Sequence, residues 1–168
     1  MQLFLIRHPR PLIDAGICYG QLDVDCEDPQ AVAEQLKRSL PAGTPIISSP
    51  LQRARKLALA LDSQAQIDER LIEINFGEWE GQPWANINRA DLDAWAADVL
   101  DFTPPGGESV ADLQRRAIDF VSTLETPRVA LVTHAGILRA LLGHYRQLPV
   151  SQWTQLKFEF GQMTELKI

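Results

Sequence analysis

The feature that most limits the fold of this chain is a set of short, uninterrupted apolar runs separated by longer stretches with helical spacing. Residues 3–6 and 129–132 contain only apolar side chains and are too short for buried helices. Each is therefore predicted to be a strand covered on both faces. Further strands are predicted at 44–48, at 65–68, and in the tail at 156–168 around a turn at Gly161 and Gln162.

Between these runs, apolar residues recur at the three- and four-residue spacing of amphipathic helices. The predicted helices are 30–40, 50–61, 84–100, 109–124 and 136–146. Strands that alternate with helices predict an α/β fold, a three-layer α/β/α sandwich with a mostly parallel central sheet. The 168 residues are predicted to form a single domain, 1–168, in which 82–106 make a small helical cap-like insertion.

The charge and hydropathy of the chain argue against several classes of function. With 16 basic and 22 acidic residues the net charge is -6, which disfavours nonspecific binding to nucleic acid. No apolar run approaches the roughly 18 residues of a membrane span, and the first residues lack the basic segment of a signal peptide. We therefore expect a cytoplasmic protein without membrane partners, a monomer or homodimer, in which Cys18 and Cys26 stay reduced.

Two of the three histidines stand directly after a predicted buried strand. Residues 3–7 lead into His8, and residues 129–133 lead into His134. Because ligands of open α/β sheets bind at the carboxyl ends of the strands, both rings are predicted at the ligand-binding edge. His144 falls within a predicted helix, and we expect no such role for it.

A pair of histidines at this edge suits either metal binding or covalent catalysis. A metal site usually needs a third ligand two or four residues away, and no such spacing occurs here. In covalent catalysis one neutral imidazole attacks phosphorus, while cations hold the phosphoryl oxygens. Arg7 and Arg10 flank His8, and Arg53 lies in the helix predicted at 50–61, whose N-terminus would add free N–H groups. The residues therefore predict phosphoryl-transfer chemistry.

Five short motifs resemble those of the histidine phosphatase superfamily, whose fold is phosphoglycerate mutase-like. They are 5–8 (Leu-Ile-Arg-His), 48–54 (Ser-Ser-Pro-Leu-Gln-Arg-Ala), 69–81 around Glu73, 107–109 (Gly-Glu-Ser) and 132–136 (Val-Thr-His-Ala-Gly). Each motif alone is short, but the five occur in the family's order and span nearly the whole chain. The resemblance is therefore specific.

The resemblance implies a metal-independent phosphatase that passes a phosphoryl group to His8 and then to water. Arg7, Arg53 and His134 would bind the phosphoryl group and stabilise its charge. Glu73 would be the general acid for the leaving oxygen and then the base for water. No metal or cofactor is expected. Because His8 must be neutral and Glu73 protonated, activity is expected to follow a bell-shaped pH profile.

Two features leave parts of this assignment open. Glu78 and Glu80 lie close to Glu73 in sequence, and spacing alone does not exclude either as the general acid. The chain also departs from the common family pattern after its first histidine, where 9–11 read Pro-Arg-Pro in place of Gly-Glu-Thr. The proline removes a backbone donor, and Arg10 adds positive charge near the pocket.

The segment after the first motif bears on the substrate. Residues 8–11 and 16–23 together resemble the α-ribazole-5′-phosphate phosphatase branch, so this small phosphomonoester of cobalamin biosynthesis is the leading predicted substrate. Tyr19, Trp79 and Trp84 are candidates to stack on its flat base, although the tryptophans equally suit a core under the 82–106 segment. The predicted substrate-binding residues are Arg7, Arg10, Gly20, Gln21, Arg53, His134 and Ala135.

Other functions fit parts of the sequence. A broad-specificity phosphatase or a phosphoglycerate mutase would use the same residues, but the short chain offers a mutase little material for a lid. A noncatalytic phospholigand-binding protein commonly lacks the nucleophile or the acid, and both are present here. A metal phosphatase would have to use Asp23 and Asp25, and no apolar strand precedes them.

Overall fold

A five-stranded sheet forms the middle layer of the computed structural model, which describes residues 1–168. The strands are β1 (Gln2–Arg7), β2 (Ile46–Ser48), β3 (Gln66–Ile67), β4 (Arg128–Thr133) and β5 (Met163–Lys167). Their order across the sheet is β3-β2-β4-β1-β5. All neighbours are parallel except β5, which runs antiparallel to β1 at the edge. The predicted mostly parallel sheet is confirmed.

Six α-helices connect and cover the strands. They are α1 (Pro29–Lys37), α2 (Gln52–Leu61), α3 (Arg89–Ala97), α4 (Val110–Ser122), α5 (Ala135–Tyr145) and α6 (Val150–Trp153). The helix predicted at 84–100 is shorter than expected, because Trp84–Asn86 form a 3₁₀ turn and Asn88 then caps α3 by accepting the Ala90 N–H. None of the helices combines the length and apolar character that a membrane span requires.

The side chains of the two central strands divide between two cores, one on each face of the sheet. Leu3 and Leu5 of β1 pack with helices α4 and α5, whereas Phe4 and Ile6 pack with α1 and α2. All four are at most 1% exposed. Alternate residues of a strand face opposite sides, so a continuous apolar run is what a sheet covered on both faces requires. The predicted three-layer α/β/α arrangement is confirmed.

A third, aromatic cluster lies under the segment 82–106. Trp79 is 4% exposed at its centre, in contact with Cys18 and Ile87. Trp84 and Trp95 lie at its edge with parallel rings, 5.9 Å between centroids and 8° between planes. Trp79 is therefore a core residue, which corrects its place among the candidates for stacking on a ligand.

Candidate active site

The pairing of β1 with β4 brings the two strand-end histidines together. In this parallel pair Ile6 is opposite Val132 and Arg7 is opposite Thr133. His8 and His134 are the next residues of the two strands, and the His8 N–H donates to the Thr133 carbonyl at 3.0 Å. Their ring centroids lie 5.0 Å apart. The two imidazoles thus share one site at the carboxyl edge of the sheet.

The tautomer of His8 is set by the residue that follows it. Nδ1 of His8 lies 2.6 Å from the carbonyl oxygen of Pro9. A carbonyl only accepts hydrogen bonds, so Nδ1 must carry the proton and Nε2 keeps its lone pair. Pro9 also restricts His8 to an extended backbone, which continues the strand. The nitrogen available for nucleophilic attack is therefore Nε2.

Burial keeps both rings neutral. His8 is 1% exposed and His134 is fully buried. Burial, reinforced by the charges of Arg53 and Arg7, lowers the pKa of His8 to about 3, although the bond to Pro9 acts in the opposite direction. Burial, with His8 and the nearby arginines, lowers the pKa of His134 well below its usual range. A neutral imidazole is the form that a nucleophile needs.

Two arginines lie beside the histidines and are held by main-chain carbonyls. Arg53, in the first turn of α2, is fully buried and donates to the carbonyls of Leu22 at 2.7 Å and Gly20 at 2.5 Å. Arg7 donates to the Phe158 carbonyl at 2.6 Å, and its guanidinium lies 3.8 Å from the centroid of the Phe160 ring. Burial lowers the pKa of each guanidinium, but an arginine stays charged at any physiological pH.

Three buried polar side-chain atoms have no hydrogen-bond partner, and all three belong to this cluster. They are Nε of Arg7, Nε of Arg53 and Nδ1 of His134. Buried polar groups are nearly always paired, so each unpaired one needs a reason. A phosphoryl group has the acceptor oxygens that these atoms would bind and the negative charge that the two guanidinium groups would stabilise.

Among the three candidate acids, only Glu73 lines the same cleft as Arg7. Its two carboxylate oxygens accept the N–H groups of Ile74 at 2.9 Å and Gly136 at 3.2 Å. Glu80 instead uses one oxygen to accept the N–H groups of Gln21 and Phe76, and Glu78 is exposed. The geometry favours Glu73 as the general acid and gives Glu80 a structural role.

An ion pair that the sequence did not point to holds the Glu73 loop. Arg116 donates to the carbonyl of Ile72 at 2.6 Å, to that of Glu73 at 3.1 Å and to the Glu108 carboxylate at 2.7 Å. Glu108 also accepts the Asn75 N–H at 3.0 Å. These contacts give the glutamate of the Gly-Glu-Ser motif a structural role. The serine of the same motif caps α4. No local pattern marks Arg116, because most of its partners are main-chain carbonyls distant in sequence.

Of the remaining predicted binding residues, two line the apolar cleft and two do not. Gly20 and Ala135 line the cleft. Gln21 does not line it; its side-chain amide donates to the Glu73 carbonyl at 3.0 Å and so ties two loops together. Arg10 also lies outside the cleft lining, because its exposed side chain turns toward Glu27, 3.7 Å away. Neither Gln21 nor Arg10 therefore lines the apolar cleft, and their contact with a substrate stays a prediction.

The segment considered for metal binding is used for other contacts. Asp23 accepts the Gln52 N–H at 2.6 Å, and Asp25 pairs with Lys56 at 2.5 Å. No three His, Cys, Asp or Glu side chains cluster closely enough to hold a metal ion. The first N–H of α2 is thus committed to Asp23, which corrects the expectation that it is free to bind an anion.

An apolar cleft of about 410 Å³ opens beside Arg7 and Glu73. Of its 18 lining residues, 12 are hydrophobic, among them Trp84 and Trp95. Arg139 of α5 is a further cation in the lining, and its Nε donates to the Leu156 carbonyl at 3.1 Å. The volume lies within the range of small-molecule sites.

Comparisons with known proteins agree with this geometry. Residues 3–168 match the profile of the histidine phosphatase superfamily (branch 1). The chain is 34% identical to glucosyl-3-phosphoglycerate phosphatase of Mycolicibacterium vanbaalenii over 92% of this chain and 78% of the relative. It is 31% identical to putative phosphoserine phosphatase 2 of Hydrogenobacter thermophilus over 84% of this chain and 76% of the relative.

Solved structures show the same fold over nearly the whole chain. A mycobacterial glucosyl-3-phosphoglycerate phosphatase in complex with VO3 superposes with a TM-score of 0.85 and 30% identity, covering 99% of this chain and 92% of its own. A protein from Thermus thermophilus superposes with a TM-score of 0.81 and 31% identity, covering 99% of this chain and 93% of its own. The predicted phosphoglycerate mutase-like fold is therefore confirmed.

Replacing Gly136 with alanine tests the placement of Glu73. A methyl group at position 136 would overlap Glu73 Oε1, so the flexible carboxyl group must swing away. Alanine is the better helix former, so folding should not suffer. We expect Gly136→Ala to lower kcat by about 10²- to 10⁴-fold, the usual contribution of a general acid. The free energy of unfolding should stay unchanged within about 1 kcal/mol.

A double-mutant cycle provides the control for this prediction. In the Glu73→Gln background, Gly136→Ala should cost almost nothing further, because the group that it displaces is already inactive. Additive losses in the double variant would show that Gly136 acts independently of Glu73.

The neutral histidines also predict how stability depends on pH. Both pKa values are lowered in the folded protein, so below about pH 6.5 the unfolded chain binds protons that the folded chain does not. Stability must therefore fall as the pH drops from about 6.5 toward the folded pKa of His8, about 3. Between pH 7.0 and 5.5 the loss should be about 1.2 kcal/mol for each ring.

Urea denaturation in phosphate-free buffer at these two pH values measures the loss. His8→Asn should remove about half of it, whereas the control His144→Asn, at an exposed position, should leave it intact. A wild-type stability that is the same at both pH values would contradict neutral burial of the two rings.

Proposed function

We propose that this chain, which belongs to the histidine phosphatase superfamily, hydrolyses a small phosphomonoester through a phosphohistidine at His8 Nε2. The family and the phosphatases among its relatives together support a phosphoric monoester hydrolase. The observation that carries the assignment of residues is the cluster of unpaired polar atoms on Arg7, Arg53 and His134 around a neutral His8.

In the first step, the lone pair on His8 Nε2 forms a bond to phosphorus as the ester P–O bond breaks. Arg7, Arg53 and His134 bind the phosphoryl oxygens and stabilise the charge that spreads over them. Glu73, held at the cleft by the Gly136 N–H, gives its proton to the departing oxygen, and the alcohol leaves.

In the second step, water attacks the phosphorus of phosphohistidine. Glu73, now a carboxylate, takes a proton from that water as the P–N bond breaks. Inorganic phosphate leaves, and His8 returns to its neutral form with Nδ1–H still directed at Pro9. Atoms and charge balance without a metal or a cofactor.

The shape of the cleft supports a leaving group with a flat, apolar face. The parallel Trp84 and Trp95 rings lie in its lining, and the wall is largely hydrophobic. Stacking of a base on an aromatic side chain contributes about 1–3 kcal/mol. This character fits the benzimidazole base of α-ribazole-5′-phosphate, which is our first candidate substrate.

A second candidate comes from the relatives. Proteins 33–34% identical to this chain are named glucosyl-3-phosphoglycerate phosphatase. Arg139 is the cation of the cleft lining that is not assigned to the phosphoryl group, and its guanidinium would pair with the carboxylate of such a substrate. The first candidate therefore predicts that activity falls when Trp84 is lost, and the second predicts that activity falls when Arg139 is lost.

The test measures phosphate release in excess EDTA from α-ribazole-5′-phosphate, glucosyl-3-phosphoglycerate and 3-phosphoglycerate. The proposal predicts release that is fastest with α-ribazole-5′-phosphate, at least 10³-fold slower in His8→Ala, and reduced in kcat/KM by about 10-fold in Trp84→Ala. Preference for glucosyl-3-phosphoglycerate with loss in Arg139→Ala selects the second candidate. Unselective release supports a broad-specificity phosphatase. Conversion of 3- to 2-phosphoglycerate without net release supports a mutase, and binding without turnover a noncatalytic protein.

A further inference from the structure

Ser49 is a fully buried serine that lies just beyond the end of β2, in contact with the second histidine. Its Oγ is 2.7 Å from His134 Nε2. The same oxygen accepts the N–H of Leu51 at 3.3 Å. The main chain of Ser49 is fixed as well, because its N–H donates to the Val132 carbonyl at 3.0 Å. The hydroxyl is therefore held in one place against the ring.

These contacts favour one direction for the hydrogen bond between Ser49 and His134. A hydroxyl has one proton to donate, and the Leu51 N–H already occupies part of its acceptor capacity. The ring needs a donor at one nitrogen and an acceptor at the other, since the neutral imidazole carries a single proton. If the serine donates to Nε2, that proton must lie on Nδ1.

Nδ1 of His134 is one of the three unpaired atoms of the phosphoryl pocket, together with Nε of Arg7 and Nε of Arg53. In the Nδ1–H form the His134 ring would donate to an oxygen of a bound phosphoryl group. In the other form it would direct a lone pair at the same anion, which is repulsive. Only one of the two neutral forms therefore completes the pocket.

We infer that Ser49 is a positioning residue, whose hydroxyl donates to His134 Nε2 and so fixes the Nδ1–H tautomer that binds the transferring phosphoryl group. This role rests on the phosphoryl pocket proposed above. It assigns a function to the serine directly before the Pro-Leu-Gln-Arg segment and to its buried contact with the ring of His134.

The chain contains a matched control at the neighbouring position. Ser48 is as deeply buried, but its hydroxyl donates to the Ser49 carbonyl at 2.9 Å and has no ring contact. We expect Ser49→Ala to lower kcat/KM for p-nitrophenyl phosphate by about 10- to 100-fold, the effect found for hydrogen-bond partners of metal-bound histidines. Ser49→Thr keeps the hydroxyl and should restore most of the activity, and Ser48→Ala should stay within about threefold of the wild type.

Nitrogen-15 NMR of the histidine rings reads the tautomer directly and needs no substrate. The wild type should show His134 with a protonated Nδ1 and an unprotonated Nε2, with the ring assigned by comparison with His8→Asn and His144→Asn. Ser49→Ala should lose this single form, and its affinity for orthovanadate should fall by about the same factor as kcat/KM.

Two results would overturn the inference. One is a wild-type His134 that carries its proton on Nε2, because the serine would then be the acceptor. The other is a Ser49→Ala variant as active as Ser48→Ala. Neither depends on whether His8 is the nucleophile: failure of the proposed function would instead appear as equal activity of wild type and His8→Ala, with the tautomer unaffected.

Discussion

The parallel hydrogen bonding between β1 and β4 is the interaction on which the whole site depends. Its register places Arg7 opposite Thr133, so the next residue of each strand is a histidine at the same edge of the sheet. The fully buried side chains on both faces hold that register, since a shift by one residue would exchange the two cores. The 5.0 Å separation between the two imidazole rings is thus a consequence of strand pairing.

The same burial that stabilises the sheet prepares the chemistry. In water a histidine has a pKa of about 6.5 and is partly protonated near neutral pH. Here, removal from solvent and the nearby guanidinium charges keep His8 neutral, and the Pro9 carbonyl fixes which nitrogen is free. The cost is a set of buried donors that the protein itself does not satisfy. An oxyanion bound as proposed would relieve this cost, which would link the energetics of the pocket to the proposed function.

Sequence reasoning predicts the layers of this fold well, because a strand buried on both faces leaves an uninterrupted apolar run. It also predicts that His8 and His134 meet at one edge of the sheet, since strand ends and short motifs are local features. It fails where a residue acts through distant main-chain atoms. Arg116 binds carbonyls of a loop more than 40 residues away, and Gln21 supports Glu73 instead of lining the cleft. Likewise, composition cannot separate Trp79 in the core from Trp84 at the cleft, because only packing decides which face of the segment is covered.

The identity of the phosphorylated atom tests the account most directly. In Glu73→Gln, a substrate with a leaving group that needs no acid, such as p-nitrophenyl phosphate, should still form the phosphoenzyme, while attack by water is slowed. Alkaline quenching, which preserves the P–N bond, followed by mass spectrometry and NMR should find one phosphoryl group per chain, on Nε2 of His8. A phosphoryl group on Nδ1 of His8 or on His134, or turnover without any phosphoenzyme, would contradict the account.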